Sequence, residues 1–277
     1  MIRVVVTGGT GTLGREVVRR LAGADYTVRV MSRRPRPADL APRLEWAQAD
    51  PLSAAGLREA LLDAQIIVHA ATGSPAGHTR LIDIWFGRVD IDGTQRLLEQ
   101  ARAAGVAHLI YISIVGIDRI PFIYYRHKLA AEALVEQGGV PWSILRATQF
   151  HTLIDIFLRQ LDRLPLFLLP SDLRCQPIDA GEVADRLCAA VAGPPAGRLA
   201  DIGGPEVLSA GEMAKAWLAV RGRRRRILHL PLPGKVARGF RRGYNTCPEH
   251  KDGTITWAEW LGRAYARQKK PCVEAIS

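Results

Sequence analysis

Along the first 150 residues, short runs of consecutive apolar positions alternate with longer stretches in which apolar residues recur every three or four. The short runs suit strands buried on both faces of a parallel sheet, and the longer stretches suit helices with one apolar stripe. The pattern predicts strands at 2–6, 26–31, 44–49, 65–70, 107–113 and 141–146. It predicts helices from Gly14 onward, over 53–62 with Ser53 as N-cap, over 93–104 and over 124–137. Such alternation specifies an α/β fold built on a doubly wound parallel sheet.

Punctuation between the first strand and helix adds chemistry. Gly8-Gly9-Thr10-Gly11-Thr12-Leu13-Gly14 follows the strand with no spacer and opens the helix. Gly9, Gly11 and Gly14 fit G-x-G-x-x-G, and Gly8, Gly11 and Gly14 fit G-x-x-G-x-x-G. Glycine serves a tight turn, a close approach of backbone to a pyrophosphate and close helix–strand packing, while the first free N–H groups of the helix face the anion. In this context the turn predicts a Rossmann-type dinucleotide site using Gly8, Gly9, Thr10, Gly11, Thr12 and Leu13.

The end of the second strand selects the dinucleotide. An NAD site usually carries Asp or Glu there for the ribose 2′-hydroxyl, whereas Ser32, Arg33 and Arg34 occupy it here. Hydroxyl and guanidinium groups suit a 2′-phosphate, so NADPH/NADP is favoured over NADH; solvent-facing loop arginines are the alternative. Asp50 is placed near the adenine or, equally, in a local cap or turn. Ala70, Ala71 and Thr72 leave small side chains where a dinucleotide would cross the sheet edge.

Further along, Tyr124 and Lys128 form Y-x-x-x-K on one face of a predicted helix, downstream of the strand-end Ser113. A phenol can donate a proton to a nascent alkoxide, and a nearby ammonium would lower its pKa and bind the nicotinamide ribose. The motifs TGGTGTLG, YISIVGIDRIP, YYRHK and WSILRATQFH, with the arginine pair, resemble the atypical short-chain dehydrogenases/reductases with NmrA-like members. The resemblance covers nearly the whole chain. It implies a Rossmann domain with a small C-terminal substrate-binding part, Tyr124 as general acid/base, Lys128 as its partner and Ser113 as the oxyanion-orienting hydroxyl. Ile114 stands where many relatives place a second Ser or Thr, and Asp90 where extended relatives commonly have Asn.

The Rossmann domain is expected over 1–150, with 176–192 returning to it, and the smaller substrate-binding region over 151–277. Trp85, Gln149, Phe150 and His151 are the expected substrate-shaping residues. Core packing is the alternative for Trp85 and Phe86, and a packed rather than relaying side chain for His151. The apolar stretch 153–170 is interrupted by Asp155, Arg159, Asp162, Arg163 and Pro165, so a buried or pocket-lining helix is expected there rather than a membrane span. Because the glycine turn arrives by residue 8, no secretory signal is expected, and the four cysteines form no metal or disulfide pattern, so a cytoplasmic protein without metal is expected.

The net charge of +11 raises nucleic acid as a partner. Its one true cluster, Arg221–Arg226, lacks interleaved aromatics to stack bases, so nucleic acid is disfavoured and a small-molecule partner without a membrane is expected. The sequence leaves the oligomeric state open. Together these features predict an NADPH-dependent oxidoreductase acting on a small apolar carbonyl or quinone-like compound. The alternative is a non-catalytic NmrA-like dinucleotide sensor.

Overall fold

The computed structural model describes residues 1–72 and 88–266. The chain divides into two compact units, one of Met1–Ala147 with Ala180–Asp201, the other of Thr148–Asp179 with the residues from Ile202 on.

The first unit is built on seven strands: β1 (Ile2–Thr7), β2 (Tyr26–Ser32), β3 (Leu44–Gln48), β4 (Ile66–His69), β5 (His108–Ile114), β6 (Trp142–Ala147) and β9 (Gly197–Arg198). They are parallel throughout, in the order β3-β2-β1-β4-β5-β6-β9. The order reverses between β1 and β4, and a crevice opens at the carboxyl ends of strands at such a reversal. One face buries Val5, Ile67, Leu109 and Tyr111 against α2 (Leu57–Leu61), α3 (Gly93–Ala103) and α4 (Ile123–Gln137), through Leu61, Leu97, Ala131 and Val135 among others. The other carries α1 (Thr12–Leu21) and α6 (Ala180–Ala192), which pack together and are joined by Arg20 and Asp185. Burial on both faces explains why the strands read as β-branched runs rather than alternations.

One predicted helix is much shorter. The stretch 53–62 gives only α2, because Ala54 and Gly56 take left-handed backbone (φ 59° and 70°) and break the helical path. Gly56, not Ser53, precedes the helix; a Cβ there would sit 2.4 Å from the Gln48 carbonyl oxygen.

The second unit packs Ile154 and Leu158 of α5 (His151–Asp162) and Phe167 and Leu169 of β7 (Phe167–Leu169) against α7 (Ala210–Val220) and α9 (Trp257–Ala266). Buried Asp155 organises this core: its carboxylate accepts from Trp217 Nε1 (2.7 Å) and the Tyr265 hydroxyl (2.5 Å), and Arg159 lies 2.8 Å away. The apolar stretch expected as one helix ends at Asp162 and continues, past Pro165, as β7. β7 pairs in parallel with β11 (Ile227–His229), and β8 (Arg174–Cys175) pairs antiparallel with β10 (Leu208–Ser209). Ser209 caps α7 in a reciprocal box with Glu212. Among the described residues, no helix is long and apolar enough to cross a membrane.

Candidate functional site

Sterics fix the glycine turn. Gly8 is left-handed (φ +65°), and a Cβ on it would meet the Ala71 backbone at 2.8 Å. A Cβ on Gly14 would fall 2.1 Å from the Gly8 carbonyl oxygen, and one on Gly9 would press Val30 at 2.8 Å. Gly11 is different: it is exposed, and a Cβ there meets nothing closer than 3.2 Å. Gly8, Gly9 and Gly14 therefore hold the turn against strand and helix, while Gly11 presents open backbone at the start of α1. That helix has no side-chain cap, no acid in its first turn and basic Arg19 and Arg20 in its last. Its leading N–H groups carry no side-chain cap, and helix starts of this kind, with no acid in the first turn, favour an anion. Thr10 and Thr12 lie at its rim, and Leu13 is buried beneath it.

At the end of β2, the Arg34 N–H donates to Ser32 Oγ (3.2 Å). From β3 and the residues near it, Trp46 Nε1 donates to the Arg34 carbonyl (3.1 Å) and Gln48 Nε2 to the Arg33 carbonyl (3.3 Å). The backbone is thus tied down while both arginine side chains stay exposed. Asp50 is committed locally, its Oδ1 accepting from the Leu52 N–H (3.0 Å) in an Asx turn. Ala70 and Ala71 are positioned by Thr7, whose carbonyl and Oγ1 accept from their N–H groups at 3.3 and 3.2 Å.

Around Tyr124 converge Thr72, which follows β4, and side chains of the Arg88–Asp92 π-helical turn, β5 and α4. The Thr72 hydroxyl donates to Asp90 Oδ1 (2.9 Å) and lies 3.1 Å from the Tyr124 hydroxyl. Because a hydroxyl carries one proton and Thr72 gives its proton to the carboxylate, Tyr124 is the donor to Thr72. Lys128 Nζ donates to the Ile112 carbonyl (3.0 Å), lies 3.6 Å from Asp90 Oδ1 and sits 4.2 Å over the Tyr111 ring. Lys128 and Asp90 are both buried.

Burial and Asp90 set the electrostatics of both groups. Burial, and then the Asp90 charge, push the Tyr124 phenol well above its ordinary value, only partly opposed by Thr72. Burial also lowers Lys128, against the pull of Asp90. The ammonium faces Asp90 and the Ile112 carbonyl. Ser113 is the penultimate residue of β5. It is buried in β5 without a hydrogen bond of good geometry, and its influence falls on Glu132. Burial works to raise the Glu132 carboxyl, but Arg146, Ser113 and Arg198 together bring it below its usual value.

His69 carries no signal in the apolar run that contains it. Its Nδ1 is 2.7 Å from Thr7 Oγ1 and its Nε2 3.0 Å from Thr94 Oγ1, linking β1, β4 and α3 beneath the Ala70–Thr72 segment. Burial, then Lys128, lowers its pKa to about 3, so the ring is neutral.

Gln149, Phe150 and His151 belong to the second unit. Asn245 Nδ2 donates to Gln149 Oε1 (3.2 Å), and Gln149 Nε2 donates to the Asn245 carbonyl (3.4 Å). Phe150 bridges to Ile178 and precedes α5. His151 stacks on Trp257 and Trp260 at centroid distances of 5.7 and 5.6 Å, and burial lowers its pKa to about 4. Trp85 and Phe86 lie outside the described residues. Among the described residues, no cluster of His, Cys, Asp and Glu could hold a metal ion.

Residues 8–153 match the family model for NAD(P)H-binding proteins. The chain is 30% identical over 234 residues to a (4-alkanoyl-5-oxo-2,5-dihydrofuran-3-yl)methyl phosphate reductase of Streptomyces griseus subsp. griseus, covering 79% of this chain and 74% of the relative. It is 29% identical over 153 residues to the chloroplastic protein High Chlorophyll Fluorescence Phenotype 244 of Arabidopsis thaliana, covering 53% of this chain and 36% of that one. The chain spans between about a third and somewhat over half the length of the photosynthesis-related relatives it matches. A dTDP-glucose 4,6-dehydratase from Streptomyces venezuelae, solved with NAD bound, superposes with a TM-score of 0.74 at 21% identity over 97% of this chain and 98% of that one. At that identity the likeness establishes the fold. With the glycine turn, the parallel sheet and these matches, the chain belongs to the NAD(P)H-binding family of atypical short-chain dehydrogenases/reductases.

Proposed function

We propose that the protein is an NADPH-dependent oxidoreductase that reduces a small apolar carbonyl or quinone-like compound, with Tyr124 as the proton donor. The observation that carries this reading is the Tyr124–Thr72–Asp90 chain. A phenol raised by burial and by Asp90 stays protonated at neutral pH, which suits a donor to a developing oxyanion. The residues present fit a dinucleotide. The open N-terminus of α1 and Gly11 would take the pyrophosphate, Ala70–Thr72 would leave room for its passage, and Ser32, Arg33 and Arg34 would take a 2′-phosphate. When bound, the reduced nicotinamide supplies a hydride. Tyr124 would deliver its proton to the substrate oxygen, Thr72 would orient the phenol, and Lys128 would hold Asp90 in place.

A second reading, a dinucleotide sensor without turnover, is favoured by two observations: Lys128 pairs with Asp90, and the Ser113 hydroxyl is buried. Calorimetric titration with NADPH, NADP⁺, NADH and NAD⁺ tests the cofactor part directly. The phosphorylated pair is expected to bind more tightly, and an Arg33→Ala, Arg34→Ala variant to lose that preference, because each charge-assisted contact contributes about 1.5–3 kcal/mol. Equal affinity for all four would refute the NADPH assignment. Binding without turnover on any carbonyl or quinone would favour the sensor.

A further inference from the structure

The parallel pair β7/β11 has two unlike faces. Phe167 and Leu169 point into the core of the second unit, so Leu168, aligned with Leu228, lies on the outer face. Leu164 and Leu166 precede it and Leu230 follows β11; these side chains are 50%, 55% and 38% exposed, and Leu168 is 37% exposed. Single exposed leucines are ordinary, but a row of them along one sheet edge and its entry turn marks a contact surface.

Beside this row runs the most basic part of the chain. Residues 221–242 contain nine Arg or Lys and no Asp or Glu. Asp162 engages Arg221, Arg223 and Arg225, and Asp172 engages Arg241, so among the described residues two acids are paired with a run of nine cations. The same clamp fixes the basic run to the apolar row: Arg225 Nη2 donates to the Leu164 and Pro165 carbonyls, each at 2.7 Å. Arg224, Arg226, Lys235 and Arg238 remain exposed.

We propose that this face seats the protein on the surface of an anionic lipid bilayer, with the leucines entering the headgroup boundary and the free cations meeting lipid phosphates. Apolar burial and attraction to anionic lipid act together at such surfaces, and lying on a bilayer needs no spanning helix. This revises the expectation of no membrane partner. Charge selects the occupant. A second copy would bring like charges together across a symmetric interface. Nucleic acid would leave the leucines without a role, since bases stack on aromatic rings rather than leucine rows.

The test is co-flotation of the full chain with vesicles of phosphatidylcholine alone and of phosphatidylcholine with phosphatidylglycerol. Flotation with the anionic vesicles only is expected. It should weaken roughly thirtyfold in Arg224→Gln, Arg226→Gln and also fall in Leu166→Ser, Leu168→Ser, with NADPH affinity unchanged in both variants as a check on folding. The proposal is overturned by no flotation on anionic vesicles, by equal flotation on neutral ones, or by a leucine variant that floats as the wild type does. Release by millimolar inorganic phosphate at constant ionic strength would show a phosphate site instead. A concentration-dependent dimer lost in the leucine variant would show a second copy as the occupant.

Discussion

At the scale of single residues, the site is governed by Asp90, a buried carboxylate bonded by Thr72 and paired with Lys128. Asp90→Asn leaves the buried ammonium without its counter-charge, so a stability loss of about 3–5 kcal/mol is expected in urea unfolding, the usual cost of breaking a buried pair. It also removes the charge that helps hold the phenol protonated. The alkaline limit of turnover should therefore move to lower pH, measurable as a pH profile; an unmoved limit would detach Asp90 from the phenol. Asp90 was legible in the sequence only as a departure from a family pattern. Its partner lies on another element, and no spacing rule links a π-helical turn to a helix that follows a further strand. Tyr124 and Lys128 were legible because a four-residue interval places them on one face, but that interval says nothing of which group the ammonium serves. For Ser113, strand-end position alone does not reveal what its hydroxyl faces.

At the scale of elements, the β1–α1 turn was the most legible part of the chain, since its glycines answer to sterics that sequence spacing encodes. The structure divides their labour and makes that division testable. Gly14→Ala forces a Cβ against backbone at 2.1 and 2.7 Å, so the turn must open. A loss of about 1–3 kcal/mol is expected in thermal or urea unfolding, with cofactor affinity falling too. Gly11→Ala meets nothing closer than 3.2 Å. It should fold normally and lose NADPH affinity, a split that calorimetry beside a melting curve would reveal. Helix α2 was overcalled because nothing in an Ala-rich segment announces left-handed backbone at Ala54. The pairs β7/β11 and β8/β10 were missed because strands of two or three residues carry no readable period.

For the whole molecule, acid stability follows from two buried imidazoles. His69 and His151 have pKa values lowered to about 3 and about 4, chiefly by burial, while the unfolded chain titrates near 6.5. A base with a depressed folded pKa binds fewer protons folded than unfolded. Stability therefore rises with pH through this window and is lost as pH falls below about 6.5. At pH 5 each should cost on the order of 2 kcal/mol relative to pH 7.5. Urea unfolding at the two pH values checks this, and a His69→Gln variant should flatten part of the slope. An equal slope in that variant would contradict the neutral, buried assignment. The α/β class and the parallel sheet were legible from the repeating apolar runs of the first 150 residues. The architecture of the second unit was not, because buried Asp155 and its indole and phenol partners are scattered over more than a hundred residues.

The central claim is that Tyr124 donates the proton in an NADPH-dependent reduction, and the most direct measurement is NADPH oxidation by wild type and Tyr124→Phe across a panel of ketones and quinones, with NADPH affinity measured for both. The account predicts turnover by the wild type on at least one compound, a loss of roughly 10²–10⁴-fold in the variant, and nearly unchanged affinity. Equal turnover in the two proteins would contradict it.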